Sequence, residues 1–329
     1  MELFSLDSAA LTLQPKNVPS EQVFAPVDHF AIIDIRLHQQ GTPTLGTWNC
    51  TLRDLIREQS IPHHQADTPL LRLVQIPRNS DDHHFIHSLS FRDLLDYYHI
   101  SNETRFLLEY KVRGFYHFPR QGDYSKEYSC FLNNVPYMLL WSFDPKSRRT
   151  RGIILGPNEF HDNFTNTLKT HIQLVDGPML LPATMAILTI YGIHRRVHDM
   201  RTNVRGIEST FGFPAWTLYR TPRHDVGIDE ISTQELTTYT KSISGDLVKI
   251  ADITRSLKLV NLVLTSLQDK ELELINGDDD SPTVGQWQNL RQQLMRQVRF
   301  TEIEIDYLES RAKNQFTVVS YIPNRNHSC

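Results

Sequence analysis

The sequence predicts an α/β (α+β) protein: a mixed β-sheet domain with flanking helices over residues 1–176, followed by long stalk-like helices over residues 177–329. Three observations predict it. Short strand-like and helix-like pieces alternate through the first half. The apolar period then switches to a helical one at Gly177. Two long amphipathic segments follow, at about 232–275 and 283–321, and they are the right length for an antiparallel helix hairpin.

Taken in order, Phe30-Ala31-Ile32-Ile33-Asp34-Ile35 is β-rich and mostly apolar, as a buried strand would be. Thr51 to Glu58 suits a short helix. Leu70 to Ile76 reads as a second strand, stopped by Pro77. Ser90-Phe91-Arg92-Asp93 has the acceptor spacing of a capping box, opening a helix with Phe91, Leu94, Leu95 and Tyr98 on one face. Ser101 is placed to cap another helix through Tyr110. Tyr128–Leu132 and Tyr137–Phe143 flank Asn133-Asn134-Val135-Pro136 as a strand pair. Asp144-Pro145-Lys146-Ser147 is a turn signal, and Gly152 to Gly156 is the strand after it.

From Pro178 to about Gly206 the chain reads as one helix, apolar first and basic later. Residues 213–227 read as a linker punctuated by Pro214, Pro222 and Gly227. In the next segment Leu236, Ile243, Ile250, Leu257 and Leu264 recur every seven residues. Tyr239, Ile253, Val260, Leu267 and Leu274 form the companion row, broken by Asp246. Such paired rows are the pattern of a coiled coil or helix hairpin. Asn276 to Pro282 breaks the helix. The last helix carries Leu290, Leu294, Val298, Thr301, Ile305, Leu308, Ala312 and Val319 on one stripe, and Pro323 is expected to end it. At ~1.5 Å per residue it is roughly 55–60 Å long, which suits a stalk or an intermolecular bundle.

Composition narrows the function classes. The 329 residues carry a formal net charge of −4, which gives no support for nucleic-acid binding through basic patches. Cys50, Cys130 and Cys329 are odd in number and far apart, so neither a disulfide framework nor a CxxC metal knuckle is available. The start Met1-Glu2-Leu3-Phe4-Ser5-Leu6-Asp7 lacks the basic and apolar regions of a signal peptide. The expected compartment is therefore the cytoplasm, and the glycosylation patterns at Asn49, Asn102 and Asn163 carry no meaning there. The most apolar stretch, Met179 to Ile193, is shorter than the ~20 residues a bilayer needs. It is expected to be a buried helix, with no membrane span in the chain.

Several clusters have residue types that can carry chemistry. In Asp81-Asp82-His83-His84-Phe85-Ile86-His87, a helix would put His83 and His87 on one face, able to hold a metal for a small-molecule enzyme. A solvated loop after Pro77, Asn79 and Ser80 explains it more simply. His63-His64 is weaker still. Asp278-Asp279-Asp280 attracts a cation in principle but lacks the spacing of a calcium loop. His194-Arg195-Arg196-Val197-His198 is a basic patch whose cations suit the end of a helix. Cys130 reads as a buried small hydrophobe, and Asp93 with Asp96 as a wet helix face. No GxGxxG, GxxxxGK, HExxH or GxSxG is present, so no catalytic residue and no cofactor site is assigned.

Three stretches together resemble the extramembrane region of the CorA-like cation transporters of filamentous fungi. They are Leu71-Arg72-Leu73-Val74-Gln75-Ile76-Pro77-Arg78-Asn79-Ser80 with the following Phe91-Arg92-Asp93-Leu94-Leu95, then Gly177-Pro178-Met179-Leu180-Leu181-Pro182, and the run from Glu302 to Val319. The last is the most specific, being similar to the family's stalk helix. The likeness covers about residues 30 to 319. It implies a mixed α/β cytosolic domain feeding long helices. It also implies Mg²⁺ or related divalent transport by a homo-oligomer, with Mg²⁺ sensed as a regulatory ion at subunit interfaces.

The family's two spans and Gly-Met-Asn pore signature are not found before Cys329. The expectation is therefore a cytosolic domain truncated before the pore and not itself a transporter. It is expected to act as a regulatory or oligomerising module. It would join copies of itself, or full-length relatives, through 232–275 and 283–321. No pore residue and no sensing carboxylate is carried over. The competing readings are an incomplete product of a transporter gene and a helix-mediated scaffold for unrelated partners.

Overall fold

The computed structural model describes residues 29–37, 42–51, 53–55, 69–77, 88–101, 103–109, 112–119, 128–134, 137–175, 177, 180–210, 232–274 and 282–325. These residues belong to two compact units, Met1–Thr184 with Leu267–Trp287, and Met185–Ser266 with Gln288–Cys329. The first of the crossings between them, at Thr184 and Met185, lies inside a helix. Leu180, Leu181, Ala183 and Thr184 are all buried, so the start of that helix has no wet face to mark a boundary.

The first unit is built on seven strands: β1 (His29–Leu37), β2 (Pro43–Thr51), β3 (Leu71–Pro77), β4 (Gly114–Pro119), β5 (Tyr128–Asn134), β6 (Tyr137–Asp144) and β7 (Arg149–Gly156). Their order across the sheet is β2-β1-β3-β7-β6-β5-β4. Every pairing is antiparallel except β3 with β7, which run parallel with Leu71 opposite Thr150 and Pro77 opposite Gly156. The sheet is therefore mixed, as expected. Close packing at its centre demands glycine: a Cβ on Gly152 would lie 2.5 Å from the Leu140 carbonyl oxygen.

One face carries Phe30, Ile32, Val74, Ile76, Phe131, Leu140, Ile153 and Leu155. Helices α1 (Ser88–Tyr97) and α2 (Glu103–Glu109) contribute Phe91, Leu94, Leu95, Leu107 and Leu108 to the same core. The apolar face expected for α1 is the buried one. The expected cap is not at its start, since α1 begins at Ser88 and Ser90 lies within it. Apolar periodicity locates a helix face well and its first residue poorly. Ser101 does cap α2, its hydroxyl accepting from the Glu103 amide at 3.4 Å. The Asp144 turn also forms, with its carboxylate accepting from the Lys146 amide at 2.9 Å and the Ser147 hydroxyl at 2.6 Å. Of the short helix expected over 51–58, residues 53–55 are helical, Thr51 instead ends β2, and the rest lie outside the described residues, as does the 213–227 linker.

The same face holds a buried charge group. Asp34 on β1 sits directly opposite Arg72 on β3. Arg72 donates to both carboxylate oxygens, at 2.8 and 2.7 Å. Trp48 Nε1 and Arg36 donate to the same carboxylate at 3.2 and 3.0 Å, and the Arg72 guanidinium lies over the Trp48 ring. A buried ion pair is tolerable only when its lone pairs are used in this way.

The opposite face receives α3 (Asn158–Thr170), whose Phe160, Phe164 and Leu168 are buried. Phe160 stacks on Tyr137 with ring centroids 4.2 Å apart, and Gln75 donates to Thr165 at 3.4 Å. His161 is buried on this helix. It lies near the backbone of Ile76 and Gly156, yet neither ring nitrogen makes a hydrogen bond of normal geometry. Burial removes water from the charged form, so its pKa falls below the ordinary value near 6.5.

The second unit consists of three helices, α4 (Leu180–Thr210), α5 (Thr233–Leu274) and α6 (Pro282–Arg325), less the end residues that belong to the first unit. A reciprocal capping box opens α5. The Glu235 amide donates to the Ser232 hydroxyl at 3.2 Å, and the Ser232 amide donates to the Glu235 carboxylate at 2.9 Å. The expected last helix is longer than anticipated, passing Pro323 to end at Arg325. So near a helix end, proline removes one hydrogen bond without interrupting a continuing ladder. No helix among the described residues is long and apolar enough to cross a membrane.

His161 sets a pH dependence. The unfolded chain takes up a proton near pH 6.5, but the folded chain resists it, so the unfolded state binds more protons below that value. Stability is expected to be full above about pH 6.5 and to fall as the pH drops through the interval beneath it. Urea midpoints measured from pH 7.5 to 5.5 check this, and His161→Gln is expected to flatten part of the slope.

Candidate functional site

The helical unit is where the sequence places an interaction role, and its geometry starts from spacing. On α4, Ala186, Ile190, Ile193, Val197, Met200, Val204 and Ile207 are buried, in alternating steps of four and three. On α5 Leu236, Ile243, Ile250, Leu257 and Leu264 are buried as expected; of the companion row Ile253 and Val260 are buried, Tyr239 is half-buried, and the side chains of Leu267 and Leu274 lie outside those described. On α6 the buried row is Leu294, Val298, Thr301, Ile305, Leu308, Ala312, Gln315 and Val319, again in steps of four and three, while the expected Leu290 is half-buried and Trp287 and Arg311 are buried beside the row. All three helices thus turn one coiled-coil-like stripe inward. Val204, Ile207, Leu236, Ile243, Ala312 and Val319 form one shared cluster.

Polar side chains crossing between helices give their directions. Asn203 of α4 reaches Ser242 and Asp246 of α5, while Arg196, lower on α4, reaches Asp252 at 3.3 Å. These two helices are therefore antiparallel. Glu208 of α4 binds Arg311 of α6, and Arg201 binds Glu304, so α4 and α6 are parallel. The expected α5–α6 hairpin thus includes α4 as a third member.

Buried charged side chains sit inside this packing, Glu208, Asp246 and Arg311 among them. Asp246, at the position that interrupts the α5 companion row, accepts from Asn203 and from Lys249 at 3.0 Å. Arg311 donates through Nε to Glu208 at 2.8 Å and through Nη2 to its second oxygen. Hydrogen bonding to Glu208 favours the charged guanidinium and raises its pKa. Arg311 also lies over the Tyr307 ring, 5.3 Å from its centroid.

The outward side of α6 differs from a simple wet face. Phe300, Ile303 and Tyr307 are 67%, 63% and 47% exposed. At 100° per residue they fall together, opposite the inward stripe. Scattered exposed apolar residues are ordinary, but three in register on one helix form a surface suited to another helix.

Those of the remaining sequence candidates that are described do not assemble a metal site. His63, His64, the 81–87 segment, Asn102, Asp278 to Asp280 and Cys329 lie outside the described residues. Within the basic patch of α4, His194 Nε2 and the Thr301 hydroxyl are 3.0 Å apart, and Arg196 engages Asp252. Those two side chains take part in helix packing. Cys50 and Cys130 are buried, and Asp93 and Asp96 are exposed on α1. Asn49 and Asn163 are exposed. Among the described residues no group of three or more His, Cys, Asp or Glu is placed to hold a metal ion. Sequence reasoning missed the outward row of α6. The four-three spacing of Phe300, Ile303 and Tyr307 was its readable signal.

Against models of known protein families the chain finds no match, and no curated protein matches it significantly.

Inward and outward faces of α6 should respond differently to substitution. Glu208→Ala strands a buried guanidinium and is expected to cost about 3–5 kcal/mol. Ile303→Ser touches only the exposed row and is expected to stay within about 0.5 kcal/mol. Urea unfolding followed by circular dichroism compares the two.

Proposed function

We propose that this chain is a cytosolic, extramembrane-type domain of the CorA-like divalent cation transporter family, acting as a regulatory or oligomerising module. Its partners are further copies of itself, or full-length relatives, joined through the helices at 232–275 and 283–321. Mg²⁺ is the regulatory ion on this reading, and the compartment is the cytoplasm. The observation that carries the reading is the apolar outward row on α6, Phe300, Ile303 and Tyr307, because it offers a surface beyond what α6 uses inside its own bundle.

Two further features support it. The run from Glu302 to Val319, the most specific part of the family likeness, lies wholly on α6. The order of a mixed sheet unit followed by three long helices is also the arrangement that the likeness implies. A helix-mediated scaffold with unrelated partners uses the same surface but has no reason to respond to Mg²⁺.

Size-exclusion chromatography with light scattering, with and without millimolar Mg²⁺, tests the proposal. A mass above that of one chain, shifting with Mg²⁺, is the expected result. A monomer at every concentration, indifferent to Mg²⁺, would overturn it. A multimer that ignores Mg²⁺ would favour the scaffold.

A further inference from the structure

The outward face of α6 carries more than three apolar side chains. Arg296, Phe300, Ile303, Tyr307 and Ser310 follow one another in steps of four and three, a second coiled-coil row on the side away from the bundle. Arg299 and Asp306 flank this row on one side, seven residues apart, and both are exposed. The other flank is already engaged within the chain: Glu304 is held by Arg201 and Arg311 by Glu208.

Charges beside a two-helix seam decide how the helices run. In a parallel pair, each flank faces the opposite flank of the second helix, about five residues further on. Arg299 would then face Glu304, and Asp306 would face Arg311, both committed to α4. In an antiparallel pair, like flanks meet. Arg299 then faces Asp306 of the second copy, twice by symmetry. The same register sets Phe300 against Ile303 and brings Arg296 to Tyr307, whose ring carries Arg311 of its own chain on one side.

Charge is also segregated along the helix as this pairing needs. From Pro282 to Phe300, α6 has Arg291, Arg296 and Arg299 and no acidic residue. Glu302, Glu304, Asp306 and Glu309 follow, and then Arg311, held by Glu208, and Lys313, held by Glu309. Parallel copies would stack Arg296, Arg299 and the acidic run each on itself, whereas antiparallel copies set Arg296 and Arg299 against the acidic run.

We propose that α6 binds a second copy of this chain antiparallel, through Phe300, Ile303 and the Arg299–Asp306 and Arg296–Tyr307 pairs. The proposal rests on the self-association reading above and specifies its geometry. Three apolar residues per copy make a small seam, so the dimer is weak and concentration-dependent.

Cross-linking of the full chain tests it, in a Cys329→Ser background where Cys50 and Cys130 remain buried. Arg296→Cys and Tyr307→Cys chains are oxidised separately and mixed. Antiparallel pairing predicts a disulfide dimer in the mixture and none from either variant alone. Positions 296 and 307 lie about 16 Å apart along one helix, beyond disulfide reach in a parallel pair. A parallel pair would instead link each variant to itself, overturning the geometry while leaving self-association intact. A multimer by light scattering with no cross-link in any mixture would overturn the surface as well. A monomer throughout would overturn both proposals. Independently, Arg299→Glu is expected to weaken the dimer several-fold, and adding Asp306→Arg in the same chain to restore it. Failure of that rescue would also count against the pairing. Ile303→Asp should abolish the dimer with an unchanged circular dichroism spectrum, because Ile303 is exposed in the single chain.

Discussion

A step of four and three residues, repeated along three successive helices, is the constraint on which the helical unit depends. It turns Val204 and Ile207 of α4 toward the same cluster as Leu236 and Ile243 of α5 and Ala312 and Val319 of α6. Hydrophobic rows of this kind specify that helices pack but say little about which way they run. Direction comes from the polar residues set among them. Asn203 with Asp246, Glu208 with Arg311 and His194 with Thr301 each couple one level of α4 to one level of a neighbour. A slip by one turn would bury Asp246 or Arg311 against apolar side chains. Unpaired buried charges are among the costliest errors a fold can make. The interruption of the α5 row by Asp246 is thus a register mark.

Much of this architecture was legible in the amino-acid order, and what was not has physical causes. The strands with continuous apolar runs, β1, β3 and β6, are buried on both faces and were found. The edge strands β2 and β4 were missed. Edge strands need no apolar run, and β2 is half-exposed along most of its length and rich in threonine and asparagine. Helix α3 was hidden by its Asn, Thr and His residues, which favour caps and turns over helix interiors. Only the four-residue spacing of Phe160, Phe164 and Leu168 pointed to it. In α4 the basic run His194-Arg195-Arg196 drew attention from the buried row passing through Val197. A side chain's partner across 50 or 100 residues is not written in its own neighbourhood.

The same asymmetry governs the candidate surface. The inward row of α6 is a periodic pattern and was read directly. Its outward row has only three apolar members, which look like incidental surface residues until the helix is seen to have its other side filled. Function here follows from which surfaces are already in use. Arg311 is a clear case: sequence presents it as one more cation on a charged helix, but Glu208 and Tyr307 account for it.

The single parallel pairing in the sheet has a bearing on how the chain is made. Strands β2, β1 and β3 are locally connected, and so are β7, β6, β5 and β4, but the halves meet only where β3 lies beside β7. Residue 156 follows residue 77 by 79 positions, so at typical synthesis rates β3 waits roughly 4–16 s for its partner. Throughout that interval Leu71, Leu73, Val74 and Ile76, all buried in the finished protein, border an unpaired strand edge. The nascent chain therefore passes through a window in which one edge of an apolar strand stands open, a target for a ribosome-associated chaperone.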